Sequence, residues 1–162
     1  MPSTIQNLFV SLSGYYLNKI GEIKQYDSAL VFPGNKEKVD GYKDRISKLL
    51  TRCDIEIPET VLVTKGDMKY NKAIIWHEIG NMEMAEKHLN ELYEISRKEV
   101  TYYLKFGSRK TYYTRSQTKD AMDWMSRCAA AAKEWNLTQL SEKWEKTNKE
   151  LGPTVQTYVN TE

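Results

Sequence analysis

The chain has 162 residues, 40% of them apolar and 11% aromatic, so it can bury a core and is not composed like a disordered segment. A net charge of +2 excludes a uniformly basic or acidic protein. No window approaches the roughly 18 apolar residues of a membrane span, so no membrane partner is expected. The expectation is a single helical domain over residues 1–162, in the cytoplasm. The first residues lack a basic leader, and Gln6 and Asn7 interrupt their apolar run. Cys53 and Cys128 lie far apart, in no metal-type spacing, and read as free buried thiols.

Ser3 is a plausible N-cap for a first helix over residues 4–25. Ile5, Leu8, Phe9, Leu12, Tyr16, Ile20 and Ile23 follow it at spacings of three and four and predict its inward face. Val31-Phe32-Pro33-Gly34-Asn35 is a turn. A second helix places Val39, Tyr42, Ile46, Leu49 and Leu50 together. Residues 54–63 mix β-type side chains around Pro58, and a loop with a short helix is favoured there.

Asp67 can cap a third helix ending near Ile79, where Gly80-Asn81 supplies a stop followed by a cap. The fourth helix starts at Met82, and Ala85, Leu89, Leu92, Ser96, Val100 and Tyr103 trace its inner face to Gly107-Ser108. A fifth helix over 117–135 turns Ala121, Trp124, Met125, Cys128, Ala132 and Trp135 inward. Asn136 breaks it. A sixth helix over 138–151 stops at Gly152-Pro153, before a polar tail. The sum is all-α: a bundle of about six helices or stacked antiparallel hairpins. Ala73, Trp76, Gly80, Ala85 and Leu89 have a spacing similar to the latter part of a tetratricopeptide repeat. The second hairpin meets Glu145 where that frame needs an apolar residue, and the copies are too widely separated for the repeat's period of about 34 residues. A generic helical hairpin accounts for both.

Charge is concentrated in one place. Residues 97–119, RKEVTYYLKFGSRKTYYTRSQTK, carry seven Lys or Arg and one acid, a net of +6, leaving −4 for the rest of the chain. Tyr102, Tyr103, Phe106, Tyr112 and Tyr113 lie among them. Two forms are open for this segment. In one, helix four runs to Phe106 and a basic loop leads to helix five. In the other, TYYLKF and KTYYTR pair as a short β-hairpin around Gly107-Ser108. Helix then loop is favoured, because the apolar stripe continues through Val100 and Tyr103.

Cations beside flat rings can hold phosphates and stack on unpaired bases. Arg97, Lys98, Lys105, Arg109, Lys110 and Arg115 are the candidate phosphate contacts, with Tyr112 and Tyr113 as stacking candidates. Base-specific reading is not implied, since no helix-turn-helix, finger or knuckle signature is present. The plain alternative keeps Tyr103 and Phe106 in the core and leaves the cations as a solvated face.

Motifs for chemistry are lacking. His77-Glu78 opens like a zinc-protease signature, but position 81 is Asn, and neither His77 nor His88 has a Glu three residues before it. No phosphate-loop frame and no nucleophile elbow occur. No metal, cofactor or catalytic residue is therefore expected. The sequence points to a small non-enzymatic helical protein that binds nucleic acid, single-stranded or without sequence preference, through residues 97–119. The alternative is a helical adaptor or self-assembling structural protein that binds an acidic protein partner.

Overall fold

The computed structural model describes residues 2–56, 66–106 and 112–160. These form six α-helices: α1 (Pro2–Tyr26), α2 (Asn35–Glu56), α3 (Gly66–Glu78), α4 (Met82–Lys105), α5 (Tyr112–Glu134) and α6 (Thr138–Asn160). No strand occurs among the described residues, and the chain is all-α as its periodicity predicts. It divides into two compact units, Met1–Ala85 and Glu86–Glu162.

In the first unit α1 packs along α2 and meets α3. Ile20, Ile23, Val39, Ile46, Leu50, Ala73 and Trp76 are buried, and full burial of each large aliphatic stabilises by about 1.5–3 kcal/mol. Lys72 is fully enclosed, with Nζ 2.7 Å from Asp54 Oδ1. Asp27 organises the turn between α1 and α2. Its carboxylate accepts hydrogen bonds from the Val31 and Phe32 amides at 2.8 and 3.0 Å and from Asn35 Nδ2 at 3.1 Å. That network holds Leu30 at φ 55°, a conformation that crowds the Cβ of any L-residue. Gly34, at φ 82°, takes the same region without that crowding.

Ile20 and Ile23 face inward as expected, but the N-terminal half of α1 turns a different side to the core. Ile5, Leu8 and Leu12 are exposed, while Gln6 and Ser13 are buried. The stacked rings of Tyr16 and Tyr42, 5.8 Å apart, mark the side on which α2 lies. Ser13 is accommodated there because its hydroxyl donates to the Phe9 carbonyl at 2.9 Å. At the other end α2 continues to Glu56, and the rest of the ambiguous stretch, from 57, lies outside the described residues.

α3 begins at Gly66, one position before the expected cap. It ends as the sequence predicts. Gly80 takes φ 87°, its amide donates to the His77 carbonyl at 2.9 Å, and the Asn81 amide reaches the Trp76 carbonyl at 2.9 Å. Asn81 Oδ1 then accepts from the Met84 amide at 3.1 Å and caps α4.

In the second unit α5 packs on α6. α4 is tied to α6 by the Tyr93 hydroxyl, 2.8 Å from Thr147 Oγ1 in a buried setting, and by Lys143 with Glu94. Leu89, Leu92, Ser96 and Val100 of α4 and Ala121, Met125, Cys128 and Ala132 of α5 are buried as predicted. Cys53 and Cys128 are free and buried, and burial pushes the Cys128 thiol up to about 12. Asn136 closes α5 at φ 61°, and the Leu137 amide meets the Ala132 carbonyl at 2.7 Å.

Two boundaries move. α5 starts at Tyr112 rather than Gln117, and α6 runs through Pro153 to Asn160 instead of stopping at Leu151. Pro153 lacks an amide and removes one helical hydrogen bond. Contacts beyond it keep the helix going: Val155 is buried, and the Tyr158 hydroxyl lies 3.0 Å from Thr114 Oγ1.

Candidate nucleic-acid interface

The C-terminal half of α4 has two unlike sides. Ser96 and Val100 are buried, which fixes the opposite side toward solvent. On that outer side Lys98, Tyr102 and Phe106 follow one another at spacings of four, flanked by Arg97, Thr101 and Lys105. All six side chains are exposed. With Glu94 they line a shallow groove of about 400 Å³.

The rings make this surface unusual. Tyr102 and Phe106 are each 57% exposed, although single large aromatics normally bury most of their area. Their centroids are 4.9 Å apart and their planes are inclined at 47°. Tyr103 meets Tyr102 edge-on at 5.7 Å and is itself half-buried, so Tyr102 leans on a ring partly held in the fold. Lys105 Nζ sits 5.6 Å from the Phe106 centroid.

One acid tempers the charge. Glu94 lies 4.0 Å from Arg97 and also pairs with Lys143 of α6. Exposed pairs of this kind are worth about 0–1 kcal/mol and yield readily to a phosphate. Lys105 occupies the last turn of α4, where a cation also complements the helix dipole. Glu99 is half-buried. Burial raises its carboxyl above the ordinary value, and the negative field of Asp120 adds to that.

Of the sequence-predicted residues, Arg97, Lys98 and Lys105 share this side of α4. Arg115 is half-buried on the first turns of α5. Arg109 and Lys110 lie outside the described residues. Tyr112 and Tyr113 belong to α5, and their side chains are likewise outside the description. The β-hairpin form does not occur for Thr101–Lys105 or from Tyr112 onward, which are helical; apolar burial at Val100 on α4 and at Ala121 and Met125 on α5 outweighs the β-propensity of the tyrosines. Phe106, a core residue on the plain reading, is exposed. Tyr102 and Phe106 are the rings that the sequence-based selection passed over. The signal was present in the spacing of four that links them to Lys98, opposite the apolar stripe.

Among the described residues, no cluster of three or more His, Cys, Asp or Glu side chains could hold a metal ion. No described helix is long and apolar enough to cross a membrane. No protein-family model, curated protein or solved structure matches the chain.

Proposed function

We propose that this protein is a small, non-enzymatic nucleic-acid-binding protein whose contact surface is the outer side of α4 together with the basic stretch that follows it. Arg97, Lys98 and Lys105 contact phosphates, and Tyr102 and Phe106 stack on unpaired bases. Arg109, Lys110 and Arg115 extend the positive charge, and Tyr112 and Tyr113 remain further stacking candidates.

The observation that carries the reading is the exposure of Tyr102 and Phe106 beside three exposed cations. Stacking of a base on an aromatic ring is worth about 1–3 kcal/mol and tolerates any base, because each presents a flat π face. Each neutralised phosphate adds a counterion-release contribution that falls with salt. The segment carries no helix-turn-helix, finger or knuckle signature, so a single strand of any sequence fits it better than a specific duplex site.

The test is a fluorescence titration of the full chain with single-stranded and double-stranded oligonucleotides, from about 50 mM salt upward. Tighter binding of the single strand, weakening with salt, supports the proposal. No binding of either at about 50 mM salt, where phosphate contacts are strongest, contradicts it.

A further inference from the structure

A second surface lies in the other unit, on α1 and α2. Ile5, Leu8, Leu12 and Tyr15 follow one another on α1 at spacings of three and four, and they are 43%, 58%, 38% and 54% exposed. An aliphatic ridge of this length on one helix is more than the scattered apolar exposure of an ordinary surface. Beside it runs a groove of about 270 Å³, where Leu12 and Tyr16 of α1 face Leu49 of α2. The far wall is cationic: Arg45, Lys48 and Arg52 of α2 line the groove, again at spacings of three and four.

We infer that this groove docks an amphipathic helix of a partner protein, with its apolar side on α1 and a row of Glu or Asp along the flank that faces α2. Leu12 and Tyr16 make the α1 side of the groove apolar, the exposed ridge continues from Leu12 to Leu8 and Ile5, and the α2 side presents Arg45, Lys48 and Arg52 around Leu49. A helix lying between the two sides meets both, in the helix-in-groove manner. Charge complementarity sets the sign of the partner's flank. Arg45 is held in place, its guanidinium 5.6 Å from the Tyr16 ring centroid. Lys48 pairs with Asp44 at 2.7 Å, with both side chains well exposed. A carboxylate of the incoming helix can compete with so weak a pair.

Other occupants fit less well. Bases would find one exposed ring, Tyr15 with Lys19 5.5 Å from its centroid, at one end of a ridge whose Ile5, Leu8 and Leu12 offer no flat surface. A bilayer surface is matched by an apolar face with cations along both edges, whereas the groove's three cations all stand on its α2 side. In a second copy of the chain the same groove would bring cations against cations across a two-fold axis.

The experiment uses the full chain and three probes. One is a fluorescent helical peptide with leucines at i, i+3, i+4 and i+7 and glutamates along one flank. The second is its twin with lysines in place of the glutamates. The third is vesicles of phosphatidylserine and phosphatidylcholine. The glutamate peptide is expected to bind at least about tenfold more tightly than the lysine twin and to weaken with salt. Leu8→Ser and the pair Lys48→Glu/Arg52→Glu should each weaken it by about tenfold or more while circular dichroism stays unchanged. Both sets of changes lie on exposed positions, so the second serves if the first perturbs folding. Equal binding of the two peptides, binding of neither, binding to vesicles alone, or self-association abolished by Leu8→Ser would each overturn the inference.

Discussion

The rings of Tyr102 and Phe106 stand 4.9 Å apart on the outer side of α4, one helical turn from each other. Neither contributes much to the core, since each is 57% exposed. Replacing either with Ala should therefore cost little stability and should weaken single-strand binding by about 1–3 kcal/mol. Thermal unfolding and an oligonucleotide titration of each variant separate the two effects. A variant that unfolds early, or one that binds as tightly as the parent, speaks against a stacking role.

Pro153 gives a prediction about folding alone. It sits inside α6 and is exposed. A proline in a helix interior costs about 3 kcal/mol, partly offset by the freedom it removes from the unfolded chain. Pro153→Ala should stabilise the protein by about 1–2 kcal/mol in urea unfolding. Tyr158→Phe should remove about 0.5–1.5 kcal/mol by deleting the bond to Thr114. A loss of stability in Pro153→Ala would mean that the proline is needed for the path of the helix.

Asp27 makes the first unit sensitive to acid. Burial alone would raise its pKa. Bonds from the Asn35 side chain and from the Val31, Phe32 and Leu30 amides outweigh that and hold the carboxyl below its ordinary value of 3.8. A group depressed in the fold contributes its full stability above the unfolded value and loses it as pH falls through the folded one. Stability should therefore fall as pH drops below about 3.8, and Asp27→Asn should be less stable than the parent at neutral pH with a flatter acid limb. Chemical unfolding at a series of pH values measures this. Parallel acid limbs for the two proteins would remove Asp27 from the account.

Glu99 works in the opposite sense. Burial first, then the charge of Asp120, raises its pKa above the ordinary 4.5. Its contribution is fully present below 4.5 and is lost as pH rises through the folded value, so the ionised side chain weakens the fold at neutral pH. Glu99→Gln should stabilise at pH 7 and make little difference near pH 4. An equal change at both pH values would mean that packing, not charge, decides the effect.

Much of the fold was legible because α4 and α5 each have one apolar stripe, with a clear start to α4 and a clear stop to α5. Leu89, Leu92, Ser96 and Val100 needed only the helical repeat, and Gly80 and Asn136 supplied stops that both appear at positive φ. α1 misled for a physical reason. Its sequence is apolar on more than one side, and periodicity groups residues by face without saying which face a neighbour covers. Ser13 could go inside because its hydroxyl bonds its own helix, leaving Leu8 and Leu12 out. α6 misled because a local rule about Pro153 yielded to the tertiary contacts of Val155 and Tyr158. At the candidate site the charge asymmetry named Arg97, Lys98 and Lys105. Charge alone did not pick out Tyr102 and Phe106 as the exposed rings, although the helical repeat that turned Val100 and Tyr103 inward leaves Tyr102 on the outer side.

The most direct test of the proposed function is the salt dependence of single-strand binding, compared between the parent and the triple variant Arg97→Gln/Lys98→Gln/Lys105→Gln. Each phosphate contact to a single strand contributes about 0.7 to the slope of log affinity against log salt, so the variant's slope should be shallower by about 2. An unchanged slope and affinity in the variant would contradict the assignment of phosphate contacts to the outer side of α4.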